Sequence, residues 1–509
     1  MNHFAAVAAT ETPLITFWSL RDDVALETGA ADGSVLLLTR WGEIPLHLPE
    51  PVVLEFLHRM SLGPVSLDNV VGAEADRRLL TDLLDALAPV VIRSVGLADG
   101  GGPLLSVVPT TQRSTFDPRP VPTDAVVRFS RMTLMRGLDD VLALESPLAT
   151  HRVLLHRPNA RALAATLAAP CGLGVLAEAA SLPVAWIAEL VGYLVAAGMV
   201  VVAGAMSPPR FAEDDDPVLL LWAPHELLFH ARARPGRSDL AFGATFPGEG
   251  RVPPEPVLKT RPSGPRYPLF RPRLADLLAT DPPLTAAVEA RHADRRFGPA
   301  SVTAEQVGEL LYRTARVRAL RPGRGAAPDA SDRPYPSTGG LHELEFYVVA
   351  SGPGGVPSGI HHYDPRDHIL TLVGEDPQDV SGLLEGTRIA GGLAQQPTLL
   401  LEITARFRRI SGVYQGGAYA ATLRHVGALL QSLYLVTTAM GLAACVVPTR
   451  DDDDLTSDVL GLDWRVEATV GGFVLGCPAG TVSEDHPGEV PVNDADWRRL
   501  CQEQLTRRY

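Results

Sequence analysis

Apolar residues recur along this chain at two periods, and the change of period marks out its elements. Alternating or continuous apolar runs predict strands at 24–27, 34–39 and 44–48, and spacings of three and four predict helices at 51–60 and 76–87, before a strand at 90–94. The same order then returns, with strand-like runs at 125–129, 141–145 and 151–156, a helix at 161–169, a second helix from Val184 and a strand at 199–202. In that second helix Val184, Ile187, Leu190 and Leu194 share a face, Ser181 and Pro183 suit its start, and Gly198 suits a left-handed stop. Helix, turn, helix and strand read as a winged helix. The loose repeat predicts two such modules, 1–112 and 124–206, related by internal duplication.

Proline and glycine punctuate the chain between and beyond these modules. RSTFDPRPVPT (113–123) separates the two modules, and a proline-laced connector occupies 207–273. A third domain, 274–509, opens with helices at 283–291 and 303–314; Thr303 with Gln306 three residues on is a capping box. Strands come next at 345–350, 368–373 and 397–404, then a long helix at 414–441 and a closing strand at 466–475. The long helix has few polar positions, which predicts a core or dimer-interface helix. Hairpin-supplied strands buried by long helices make this domain α+β and not a doubly wound sheet.

Composition narrows the function classes. At 509 residues the chain exceeds one core and should hold two or three domains. A net charge of −14 opposes binding nucleic acid by phosphate neutralisation. The second helix of the wing, PVAWIAELVGYLVAAG, has no Arg or Lys with which to read base edges. Addition of an extended peptide to the wing's edge strand suits its apolar walls better. Cys171, Cys445, Cys477 and Cys501 form no C-x-x-C pair and complete no zinc spacing, so reduced thiols in a cytoplasmic protein without a metal are expected. The N-terminus lacks a basic region before an apolar run, so no secretory signal is expected. The apolar stretch 190–206 lies at the short edge of the roughly 17–25 residues that span a bilayer, and reads as helix, turn and strand instead of a membrane segment.

Several histidines and acids are set aside. His225 and His230 miss the i,i+4 spacing of a zinc-binding H-E-x-x-H. His361 and His362 alternate along a strand, so at most one can face a site. The run 451–454, four aspartates, suits a helix N-terminus better than a metal.

The chemistry concentrates where Pro336-Ser337-Thr338-Gly339-Gly340 feeds into an apolar strand, because glycines let backbone amides approach a flat ring closely. In order along the chain stand EARHADRRFG (289–298), YPSTGGLHELEFYVVA (335–350), GIHHYDP (359–365), YQGGAYAATLRHVGALLQSLYLVTTAMGLAAC (414–445) and VGGFVLGCP (470–478). This ordered set resembles the SagB-type, or McbC-like, azoline dehydrogenases, which have the nitroreductase-like FMN fold and act in thiazole/oxazole-modified peptide biosynthesis. The resemblance covers about 222–478, and the N-terminal part resembles the peptide-clamp modules of longer members.

What the resemblance implies can be assigned residue by residue. FMN is the implied cofactor, its phosphate and ribityl held by a turn in which Arg291, His292 and Arg295 stand, with Ala293 where the family has a serine. Pro336, Ser337, Thr338, Gly339 and Gly340 match the loop over the isoalloxazine. Gln431 matches a polar helix position, for which a satisfied core amide is an equal reading, and Gly441, Leu442 and Ala443 match the helix exit at the ring's other edge. Tyr414 is the implied catalytic residue, with Arg409 and Tyr419 at polar positions that orient substrate. The family's Lys-Tyr pair reads Val413-Tyr414 here; Lys259, the one lysine in the chain, lies in the connector, so no lysine compensates. The implied reaction removes two electrons from a thiazoline or oxazoline ring of a precursor peptide, with a cyclodehydratase complex as partner and a homodimer as the working form. Two other readings remain open: a small-molecule nitroreductase or flavin reductase using NAD(P)H, and a non-catalytic leader-peptide scaffold.

Overall fold

The structure is a computed structural model that describes residues 13–28, 34–47, 50–204, 208–352, 354–448, 459–479 and 495–506. The chain divides into two compact units, 1–241 and 242–509.

The first unit is built on a six-stranded sheet in the order Leu14–Leu20, Val91–Leu97, Pro103–Pro109, His151–Leu155, Val141–Glu145, Leu134–Leu138. Three of these strands come from the first expected module and three from the second, so the expected boundary at 113–123 is no break in the sheet. Pro103–Pro109, which the sequence reading missed, pairs antiparallel with His151–Leu155 and joins the two halves. A small sheet, Ala25–Thr28, Val35–Thr39 and Gly42–Leu46, packs with helices Pro51–Leu62 and Glu74–Ala86 around Phe56, Leu57 and Leu80.

Helices Pro158–Thr166, Leu173–Ala180 and Val184–Ala196 surround a second core with strands Val126–Phe129 and Val200–Val202. Ile187, Leu190 and Leu194 are buried as their spacing predicts, Val184 at the start of the helix is exposed against it, and Gly198 takes the left-handed conformation at φ +76°. Ser181 does not start the helix; at φ +53° it stops the preceding helix Leu173–Ala180, which meets Val184–Ala196 at 103°. Among the described residues no single helix is long and apolar enough to cross a membrane.

The second unit begins at Phe242, inside the expected connector. Its antiparallel seven-stranded sheet runs Arg266–Pro268, Ile369–Gly374, Gly359–Asp364, Leu344–Ala350, Leu399–Arg406, Glu467–Gly476, Ala443–Val447. The central pair, Leu344–Ala350 and Leu399–Arg406, is buried on both faces. Helices Ala304–Thr314 and Ala418–Ala439 cover one face around Phe346, Val348, Leu429 and Leu433. Helix Pro377–Gly391, missed in the sequence, covers the other around Val349, Leu400 and Val474. Each large apolar side chain so buried contributes about 1.5–3 kcal/mol. Thr303 and Gln306 form the reciprocal capping box, at 3.1 and 2.9 Å.

The connector is a strap, not a loose tether. Arg406 donates to the carbonyl of Pro256 at 2.9 Å, Arg409 to that of Glu255 at 2.8 Å, and Lys259 to the Tyr347 hydroxyl at 2.7 Å and Glu467 at 2.5 Å. Prolines cannot donate to a sheet ladder, but their carbonyls still accept from a guanidinium.

Candidate active site

The Pro-Ser-Thr-Gly-Gly loop is set by its glycines. Gly339 and Gly340 have φ of +66° and +69°. A Cβ on Gly340 would lie 2.7 Å from Arg321, and one on Gly339 would lie 2.9 Å from the Tyr414 hydroxyl oxygen. Gly339 stands exposed with Pro336 and Thr338, while Tyr335 behind them is buried. Ser337 is used within the loop: its Oγ accepts the His342 N–H at 2.9 Å.

Tyr414 is half-buried in a cluster with Leu341, Ile410 and Val413. The chain at 244–246 fixes it there, since the N–H groups of Thr245 and Phe246 both donate to the Val413 carbonyl, at 3.0 and 3.1 Å. The Val413 side chain is buried in the same cluster and offers no base.

Arg409 corrects an expectation. Only 1% exposed, it spends its donors on the carbonyls of Leu341 at 2.9 Å, Glu255 at 2.8 Å and Asp329, and burial lowers its pKa to about 10. It anchors the exit of the loop, and its burial keeps it from orienting a substrate. Tyr419, 49% exposed, packs its ring 5.8 Å from that of Phe407.

Two residues that the sequence reading missed lie behind the loop. His425, 6% exposed, accepts the Thr338 backbone N–H at Nε2, 2.9 Å away, and the Thr338 hydroxyl lies at the same 2.9 Å. Its Nδ1 donates to Glu343 at 2.7 Å, and Glu343 is 0% exposed. Burial alone would raise the Glu343 pKa, but its hydrogen bonds, the one from His425 foremost, bring it below the usual glutamate value. The available signal was a histidine on the buried stripe of the long helix, flanked there by Thr422, Val426 and Leu429.

A second cluster gathers where that helix ends. Gly441 turns the chain at φ +66°, and Leu442 and Ala443 are buried as the next strand begins. The arginine turn is hydrogen-bonded there: Asp294 N–H donates to the Ala444 carbonyl at 2.8 Å, and Ala394 N–H to the Arg295 carbonyl at 3.0 Å. The Arg291 guanidinium sits 5.3 Å from the centre of the Tyr434 ring. Among the described residues neither Arg291 nor Arg295 forms an ion pair. His292 bonds to Asp294 at 2.9 Å and to the Ala290 carbonyl at 2.8 Å; the Asp294 bond holds its pKa up at about 9, so it is protonated at neutral pH with its charge paired to that carboxylate. Ala293 packs against the sheet.

The two clusters therefore flank one helix, His425 beside the first and Tyr434 beside the second, about 14 Å apart by the helical rise. Gln431 lies between them on an exposed face with Tyr419 and Leu423, so it is not a core amide and the helix is not wholly buried within the chain. His361 and His362 are both buried, the latter 3.1 Å from Glu345. His225 and His230 sit on the helix Pro224–Arg232, the latter's ring 5.4 Å from that of Trp222. The run 451–454 lies outside the described residues, among which no cluster of His, Cys, Asp or Glu could hold a metal.

Two family models match the chain, one within each compact unit. Residues 288–477 match the model of the nitroreductase family, and residues 127–239 match that of the cyanobactin oxidase ThcOx. A protein of Methanocaldococcus jannaschii whose name places it among the nitroreductases is 23% identical over 166 residues, 32% of this chain and 78% of that one. Among solved structures, the Escherichia coli microcin synthetase McbBCD complex with truncated pro-MccB17 bound is similar at 18% identity, 49% of this chain and 90% of that chain, with a TM-score of 0.31. A nitroreductase-type structure from Desulfovibrio desulfuricans in complex with FMN is similar at 17% identity, 42% and 94% coverage and a TM-score of 0.28.

Proposed function

We propose, for a chain that carries a nitroreductase-family domain behind a cyanobactin-oxidase segment and is by both a flavin oxidoreductase, that it oxidises thiazoline and oxazoline rings to thiazoles and oxazoles in a ribosomally made precursor peptide, with FMN as cofactor. The observation that carries the reading is the presence of both matches in one chain. A reductase of small nitro compounds would need only the second.

The residues fit FMN. Gly339, left-handed, exposed and without a Cβ, lets a flat ring approach the loop closely, and Gly340, buried, turns the chain beneath it, while Arg291, Arg295 and protonated His292 suit a phosphate. When bound, FMN supplies the acceptor for a two-electron oxidation. The chain's part is to orient the ring of the substrate beside Gly339 and Tyr414 and to accept the proton alpha to its carbonyl. Tyr414 serves there as a hydrogen-bonding positioner. Two copies paired across the exposed face of Tyr419, Leu423 and Gln431 would form a homodimer that completes each site. Residues 1–241 would hold the leader of the precursor peptide, and a cyclodehydratase, acting in the cytoplasm, would make the azolines.

The test is to purify the protein alone, record its visible spectrum, identify any released flavin by chromatography, and then supply an azoline peptide. Bound FMN with loss of two hydrogens from the peptide supports the reading. A colourless protein that refuses added FMN would make the chain a scaffold. Turnover of nitroaromatics with NAD(P)H and none of the peptide would make it a small-molecule reductase.

A further inference from the structure

The chain has Val413 where similar enzymes place a lysine, so the substrate's acidic C–H needs another acceptor. Behind the exposed loop stands a hydroxyl, an imidazole and a carboxylate in line: Thr338 Oγ1 to His425 Nε2 at 2.9 Å, and His425 Nδ1 to Glu343 at 2.7 Å. Accessibility falls along that line, from exposed Thr338 through nearly buried His425 to fully buried Glu343. We propose that Thr338, His425 and Glu343 form the proton-accepting relay of this site, with Thr338 meeting the substrate and His425 as the base. The inference rests on the azoline-oxidation reading above.

Three observations favour a relay over a simple brace. The Thr338 backbone N–H donates to Nε2, so that nitrogen carries no hydrogen, and the proton of the imidazole lies on Nδ1 toward Glu343. That is the tautomer of a general base. Glu343 is buried, and among the described residues its one ion-pair partner is His425. A buried carboxylate without a cation is costly, so proton uptake by His425 relieves Glu343 by creating the ion pair. Finally, the loop is already closed by the Ser337 bond to His342 N–H and by Arg409 on the Leu341 carbonyl, and needs no histidine to hold it.

The balance runs as an ordinary dehydrogenation. The C–H bond alpha to the carbonyl breaks, its proton passes to Thr338 Oγ1 as the hydroxyl proton moves to His425 Nε2, and the freed electron pair becomes the ring double bond. The neighbouring ring carbon loses a hydride to the flavin. Proton arrival turns Nε2 from acceptor into donor, so the Thr338 N–H must turn away. The left-handed glycines next in the chain give it that freedom.

The experiment has two readouts, both with a synthetic peptide bearing one thiazoline. The first is deuterium uptake at the acidic ring carbon in D2O by FMN-free protein. The second is anaerobic bleaching of the flavin in one turnover of FMN-loaded protein. Wild type should do both. T338V, H425Q and E343Q should lose exchange and slow bleaching by about 10²-fold or more, with KM little changed, and T338S should recover what T338V loses. H425Q and E343Q preserve shape, and each must still retain FMN. Wild-type rates of exchange or bleaching in T338V and H425Q would overturn the relay, as would a wild type that bleaches without ever exchanging. A wild type that neither bleaches nor exchanges would instead sink the azoline reading itself.

Discussion

Gly339 carries two constraints at once, a left-handed backbone and a phenol where its Cβ would be, 2.9 Å from the Tyr414 oxygen. G339A therefore strains the loop by about 1–2 kcal/mol and displaces Tyr414. Because the residue is exposed, we expect a melting temperature within a few degrees of wild type but poor FMN retention and slow peptide oxidation, read by flavin absorbance and mass spectrometry. Tyr414 itself should be less critical than its place suggests. If the proton goes to His425, Y414F removes one hydrogen bond, about 1.4 kcal/mol or tenfold in rate. A loss of several thousandfold in single-turnover bleaching would return Tyr414 to the role of base.

At the scale of elements, the arginine turn is tied to the strand after Gly441 through Asp294 and Ala444, so its shape does not depend on the arginine side chains. R291A with R295A should then keep the fold, by circular dichroism, and lose FMN; flavin retained in the double variant would refute the phosphate role. His292 sharpens this. Its folded pKa of about 9 lies above the ordinary 6.5, so in the folded protein its charge persists through neutral pH and is lost as pH rises through 9. FMN affinity, measured by fluorescence titration, should weaken across that upper range in wild type and stay flatter in H292Q. Much of this geometry was legible in the sequence. The glycine loop, the capping box at Thr303 and the apolar face of Val184–Ala196 are local signals, and each stands where its spacing put it. What was not legible is long-range. Arg409 looked like a polar site residue, but its three acceptors are carbonyls 68 to 154 residues away. His425 and Glu343 are 82 residues apart, and neither sits in a motif that announces the other. The six-stranded sheet hid for the same reason, since strand pairing across the expected module boundary leaves no periodic trace.

Across the whole molecule the two units keep separate cores, so their stabilities can respond to conditions differently. In the first unit His151 opens a central strand of the six-stranded sheet, 3% exposed and with its ring centre 5.2 Å from that of Phe116. Burial lowers its pKa to about 4 from 6.5. The unfolded chain therefore takes up a proton that the folded one refuses. Stability is complete above about 6.5, falls as pH drops toward 4, and has lost about 2 kcal/mol from this one group by pH 5. H151Q removes the titration, whatever it does to stability at neutral pH. Hydrogen exchange of peptides from His151–Leu155 and Pro103–Pro109, where the sheet joins the two halves of this unit, should show protection falling with acid in wild type and by about 2 kcal/mol less in H151Q. Equal acid slopes in the two proteins would mean that this histidine does not limit the acid stability of the unit.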